Sequence, residues 1–269
     1  MGSYSPPETK MVRGVVFRRD PAREECFRVV HLHKEMENLS DMSDMSRRQR
    51  IHQHMHNEMQ SLEIAAQCIV DFPDTEWELQ MELARQCWDE TRHTQMLYNR
   101  LRALGGYKGE FAVMNYEWGI TCMLDSLAAR LALQNRTFEG GEMDLLRELV
   151  DTWRQAGDDD TAELLAGILA DEIQHVRFAN QWLKRLAREQ PRTLLKVAQA
   201  VRQLQQITAA MAPQEGEVNA AGVPLTGYTR VDVFANVEDR RHAEFTEDEI
   251  AEILRQEGFS GLVAEAARA

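Results

Sequence analysis

Asp89-Glu90-Thr91-Arg92-His93 and Asp171-Glu172-Ile173-Gln174-His175 read alike, D-E-x-x-H, and both lie inside long stretches of helical periodicity. On a helix, residues three apart share a face, so each Glu points the same way as its His. A single box of this kind is ordinary. Two boxes, each preceded by a helix bearing a candidate Glu, match how a helix bundle holds two metal ions. That set is one Glu from each of two helices and Glu-x-x-His from each of the other two. The expected fold is therefore all-α, a four-helix bundle with additional helices and N- and C-terminal extensions.

The patterning around the boxes gives the helices. Residues 47 to 72 carry Met55, Met59, Leu62, Ala66 and Ile69 at spacings of three and four, which makes one buried stripe. Pro73 ends that helix, and Asp74 or Thr75 caps a second running to Leu104, where Gly105-Gly106 stops it. A connection this short makes the two helices antiparallel neighbours. A third helix is expected from 109–112 towards Phe138. Gly140-Gly141 should interrupt it, and a further helical segment covers 143–155. The fourth spans 161–189 after the turn Gly157-Asp158-Asp159-Asp160, and a fifth spans 194–211.

The chain divides into three regions: an N-terminal extension (1–46), the bundle with its metal site (47–212) and a C-terminal extension (213–269). In the first, 12–17 reads as a strand or an arm packed on the body, and 21–37 is weakly helical. In the last, 229–237 reads as a short extended segment. Thr246-Glu247-Asp248-Glu249 is a capping-box start for a helix over 250–256.

In the helix before the first box, the candidates for the partner carboxylate are Glu58 and Glu63, five residues apart and so not on one facing position. Glu63 sits among Leu62, Ile64, Ala65 and Ala66, where a lone carboxylate costs several kcal/mol and a metal would remove that cost. It is taken first. Before the second box stand Glu117, Asp125, Glu139 and Glu142. Glu139 precedes Glu172 by a separation similar to that of Glu63 from Glu90, which favours it. The expected ligands are Glu63, Glu90, His93, Glu139, Glu172 and His175. Asp89 is expected to accept the free N–H of His175, and Asp171 that of His93, across the bundle.

These residues, with His56-Asn57-Glu58-Met59-Gln60-Ser61-Leu62-Glu63, Phe138-Glu139-Gly140-Gly141 and the trailing Val176, resemble the ferritin-like di-metal carboxylate superfamily. The likeness is to a bacterial branch of largely unassigned function related to tRNA hydroxylases, and it covers roughly residues 50–190. In that branch an Arg follows the third-helix Glu at the second position; Gly140-Gly141-Glu142 stands there here. The resemblance implies two iron ions and dioxygen, and Glu/His sites also take manganese, alone or mixed with iron.

The expected activity is that of an O2-dependent di-iron oxygenase or oxidase. Its partners would be O2, a small organic substrate and an electron donor, with the extensions lining a pocket or building a homodimer. A tRNA-modifying hydroxylase is the second reading, and a metal-storage or structural bundle the third. The net charge of -13 argues against nucleic acid, apart from the run Arg47-Arg48-Gln49-Arg50. Cys26, Cys68, Cys87 and Cys122 have no C-x-x-C spacing and read as free thiols in a reducing cytoplasm. Nothing resembles a signal peptide or a membrane span. His52, His54 and His56 fan around a helix, cannot chelate one ion together, and read as surface or cap residues. Trp88, Trp118, Tyr98 and Tyr116 read as core aromatics.

Overall fold

The computed structural model describes residues 6–39, 41–225 and 235–256. The chain opens with an antiparallel hairpin, β1 (Thr9–Val12) and β2 (Val15–Arg18), paired from Thr9↔Arg18 to Val12↔Val15. Residues 21–37 are largely irregular, with a 3-10 turn at His33–Glu35 in place of the weak helix expected. The helices α1 (Asp44–Asp71), α2 (Trp77–Ala103), α3 (Tyr116–Thr121) and α4 (Leu127–Leu131) come next. A π-helical stretch (Ala132–Glu139) leads into α5 (Gly140–Gln155), followed by α6 (Asp159–Glu189), α7 (Thr193–Met211), α8 (Val237–His242) and α9 (Glu247–Gln256). The architecture is an all-α helical bundle in which α1, α2, the α4–π–α5 rod and α6 are the long elements.

Local chemistry sets the ends. Ser43 accepts the Ser46 amide to cap α1, and Asp158 accepts the Thr161 amide to cap α6. Gly105, at φ +82°, stops α2 with Gly106 donating back to the Leu101 carbonyl. Thr246 and Glu249 form the reciprocal capping box at α9. Glu76, not Asp74 or Thr75, is the N-cap of α2, and it makes no side-chain cap.

Two expectations about the third rod fail. It breaks between α3 and α4 rather than running from 109. It then passes straight through Gly140-Gly141, because neither glycine has a positive φ and Gly140 adopts φ -59°, ψ -37°, helical values. Residues 226–234, which hold most of the extended segment expected at 229–237, lie outside the described residues, and Val237 opens α8.

Apolar burial occurs in two main blocks along the bundle. One gathers Met55, Leu97, Met143 and Leu169 with Trp153 and Leu165; the other gathers Ile64, Leu83, Leu131 and Phe178 with Cys68 and Trp182. On every rod the polar site residues lie in sequence between a member of the first block and a member of the second. The extensions complete the packing. Phe17 joins Ile120 and Leu133, while Ala235, Phe245, Ile250 and Leu254 join the first block. Among the described residues, no helix is long and apolar enough to cross a membrane.

Candidate metal centre

The buried face of α1 decides which of its carboxylates enters the bundle. Ile51, Met55, Glu58, Ser61, Ala65 and Cys68 are buried, whereas Met59, Leu62, Ala66 and Ile69 are only partly so. The stripe is therefore rotated by about one residue from the one read in the sequence. That rotation brings Glu58 inward (1% exposed) and leaves Glu63 on the flank. Glu63 is not at the centre: the guanidinium of Arg23 grips both its oxygens, at 2.5 and 2.8 Å. A carboxylate at that position does need a counter-charge, and a cation from the N-terminal extension supplies it. In place of Glu63, the structure brings Glu58 together with Glu90, His93, Glu139, Glu172 and His175.

These six residues fall into two overlapping groups. Glu58, Glu90, His93 and Glu172 offer donor atoms within 4.8 Å of one another, and so do Glu90, Glu139, Glu172 and His175. His93 Nδ1 lies 3.2 Å from Glu90 Oε2, 3.4 Å from Glu58 Oε2 and 3.4 Å from Glu172 Oε1. His175 Nδ1 lies 3.2 Å from Glu172 Oε2 and 3.4 Å from Glu90 Oε1. Glu90 and Glu172 each turn one oxygen to each imidazole, the disposition of bridging carboxylates. Donors held about 2.0–2.2 Å from one ion lie about 3–4 Å apart, which these separations match.

The imidazoles are held from behind. Asp171 Oδ2 is 3.2 Å from His93 Nε2, and Asp89 Oδ2 is 3.3 Å from His175 Nε2, the cross-bundle pairing expected from the sequence. Arg92 ties the two aspartates together, at 2.6 Å to Asp89 and 2.9 Å to Asp171. Such contacts keep Nε2 protonated and leave Nδ1 free to coordinate. Glu139 stands at the end of the π-helical stretch, where the Gly140 amide reaches back to the Asn135 carbonyl. Its carboxylate accepts from Gln86 at 2.5 Å and from Asn135 at 2.9 Å, and Asn135 also donates to Gln86.

The electrostatics are those of a cation site. Burial, then the neighbouring charges of Glu172 and Glu58, pushes Glu90 well above the usual carboxylate range. Burial and Glu172 do the same to Glu139. Burial also opposes charge on Glu58, but His54 and His93 outweigh it and hold that carboxyl well below its ordinary value. Burial disfavours a charged His175, yet Glu172 and Asp89 raise its pKa well above normal. Glu172 Oε1 is buried with no hydrogen-bond partner. Four carboxylates and two neutral imidazoles balance two divalent cations, and a cation would satisfy the orphaned oxygen. The residues present fit such a pair. These buried Glu/His clusters could hold metal ions.

A sequence profile described as a protein of unknown function (DUF455) matches residues 7–251. The chain belongs to this family. No curated protein and no solved structure matches it.

In this DUF455 chain a third group, His54, Glu58 and Glu142, adjoins the centre. The three α1 histidines are not surface residues: His52 and His56 are buried, and His54 keeps 11% side-chain exposure. His52 accepts the Gly109 amide, and His56 accepts from Arg23 Nε. Of the aromatics, Trp118 is buried and Tyr98 and Tyr116 partly so, but Trp88 is exposed. All four cysteines are free, with Cys68 and Cys122 buried and Cys26 exposed. Arg47 bonds the Ala156 carbonyl and lies over Trp153, Arg48 pairs with Glu110, and Arg50 bonds the Leu39 carbonyl. The arginines of the basic run are thus half-buried and engaged in intramolecular contacts.

A cavity of about 290 Å³ opens beside α1, lined by Met36, Asn57, Gln60, Met114, Tyr116 and Glu117 among others. Glu117 feels the charges of Glu142, Glu58 and Glu172, so this wall lies next to the centre. Burial, then those charges, pushes its carboxyl up to about 8.

Proposed function

We propose that the chain is a di-metal oxidoreductase of the ferritin-like kind, an O2-dependent di-iron oxygenase or oxidase acting on a small organic molecule. The observation that carries this reading is the paired donor set. Glu58 with His93, and Glu139 with His175, form two halves, and Glu90 and Glu172 face both. A pair of iron ions there would supply the redox change and open coordination positions that O2 chemistry needs.

The chain's own residues set the conditions. Asp89 and Asp171 orient the two imidazoles, and Arg92 keeps both aspartates in place. Gln86 and Asn135 fix Glu139. The apolar blocks on either side restrict water to the polar layer. The cavity beside Glu117 offers a bound substrate both apolar contact, from Met36 and Met114, and amide hydrogen bonds, from Asn57 and Gln60.

The tRNA-modifying alternative, which the resemblance suggests, is disfavoured by the net charge of -13, and the arginines of the basic run are engaged in intramolecular contacts. Storage differs in stoichiometry. The test is elemental analysis of the purified protein, followed by oxygen uptake on exposing the ferrous form to air. Near-stoichiometric iron at the paired site with rapid oxygen uptake supports the reading. Iron loading far beyond the ligand count points to storage, and an inert or metal-free protein refutes it.

A further inference from the structure

We propose that His54, Glu58 and Glu142 form a third divalent-cation site, joined to the paired centre by Glu58. The proposal rests on the di-metal reading for its neighbour but has its own donors.

Glu58 faces two ways. Its Oε2 is directed at His93, 3.4 Å away, and its Oε1 lies 2.8 Å from His54 Nε2. His54 Nε2 is also 3.0 Å from Glu142 Oε1. Despite these separations, neither His54 Nε2 nor Glu58 Oε1 has a hydrogen-bond partner, although both atoms are buried and Glu58 is 1% exposed. The three donors converge on one point, as ligands of a common ion do. Two carboxylate oxygens and an imidazole nitrogen, separated like adjacent ligands on an ion with bonds of about 2.0–2.2 Å, suit Fe2+, Mn2+ or Zn2+.

Charge points the same way. Beyond the four carboxylates that balance the pair, this corner holds Glu142, and Glu117 is close enough to interact with it. Two further buried or half-buried carboxylates are what a third divalent cation would neutralise.

The test is Mn2+ equilibrium dialysis of the full chain, with bound metal counted by elemental analysis and the ions located by anomalous diffraction. The wild type should hold three ions and the double variant His54→Ala/Glu142→Gln two, with the anomalous peak beside Glu58 Oε1 lost. His54→Gln alone, with thermal melting as a check on folding, guards against a variant that does not fold. Two ions in the wild type, or an unchanged count in a folded His54 variant, overturns the third site. Failure of the pair looks different: Glu139→Gln/His175→Ala, which touches none of these three donors, would then leave the count unchanged.

Discussion

Glu58→Gln and Glu63→Gln separate a carboxylate of the centre from one that merely lies near it in sequence. With free metal at about 100 times the wild-type dissociation constant, binding stabilises the fold by about 2.7 kcal/mol per site. Losing a ligand carboxylate should weaken the site by more than the 10- to 100-fold typical of an outer contact. At a 100-fold loss the same metal concentration stabilises by only about 0.4 kcal/mol. Glu58→Gln therefore removes about 2.3 kcal/mol of the metal-dependent part, roughly 5–9 °C of the metal-induced rise in melting temperature for a chain of this size. Glu63→Gln behaves otherwise. Its partner Arg23 is 5% exposed and Glu63 itself 24%, so breaking the pair should cost about 1–3 kcal/mol. That loss applies equally with and without metal. Differential scanning fluorimetry of both variants, with Mn2+ and with chelator, reads the two patterns directly. A Glu63→Gln protein with no metal-induced shift, beside a Glu58→Gln protein with a normal one, would refute the assignment.

Other consequences are as direct. Asp171→Asn or Asp89→Asn should weaken metal binding about 10- to 100-fold without abolishing it, as measured by competition with a chromophoric chelator. Asp158→Ala removes the cap of α6 and the partner of Arg100, 2.7 Å away; it should cost about 2–4 kcal/mol in urea denaturation. Burial opposes charge on Asp158, but Arg100 and the Thr161 amide hold its carboxyl below the ordinary value. The unfolded chain therefore binds the proton more readily. The stabilisation is complete above the unfolded carboxylate pKa of about 4 and fades as pH falls through the folded value. Asp158→Asn should accordingly be less stable at neutral pH and show a flatter acid limb. Glu90→Gln removes one of the carboxylates that burial and like charge disfavour most. In chelator it should melt no lower than the wild type while losing bound metal, and a large loss of metal-free stability would contradict this account.

Much of this was legible in the sequence because it depends on local period. The D-E-x-x-H boxes put Glu90 with His93 and Glu172 with His175 through helical spacing alone. Asp89 and Asp171 come with them, since each lies four residues before a His on a related face. The caps at Asp158 and Thr246 and the stop at Gly105 are also local. The choice between Glu58 and Glu63 was not. The partly apolar surface of α1 allows two phases of the buried stripe, and tertiary packing chose the one containing Ile51, Met55 and Cys68. The cation that accommodates Glu63 is 40 residues away, in a segment without periodicity. The meeting of Glu142 with His54 is hidden in the sequence because Gly140-Gly141 reads as a break. Only the continuous rod carries Glu142 past Glu139 to the same side of the bundle as His54.

The π-helical stretch makes the centre separable from the scaffold that holds it. Between Ala132 and Glu139 the winding is looser than 3.6 residues per turn, the effect of one extra residue within an otherwise α-helical rod. The flanks do not need that residue. Leu131 packs with one apolar block and Met143 with the other, and both would keep their places in a tighter rod. The carboxylate of Glu139 and the amides of Gln134 and Asn135 would not, since all three lie within the loosened stretch itself and are re-aimed when it tightens. Deleting a single codon here would convert the bundle into an intact but ligand-poor relative, and inserting one would reverse the change. Among homologous chains, a one-residue gap at this point would therefore mark which of them have kept Glu139 in the donor set.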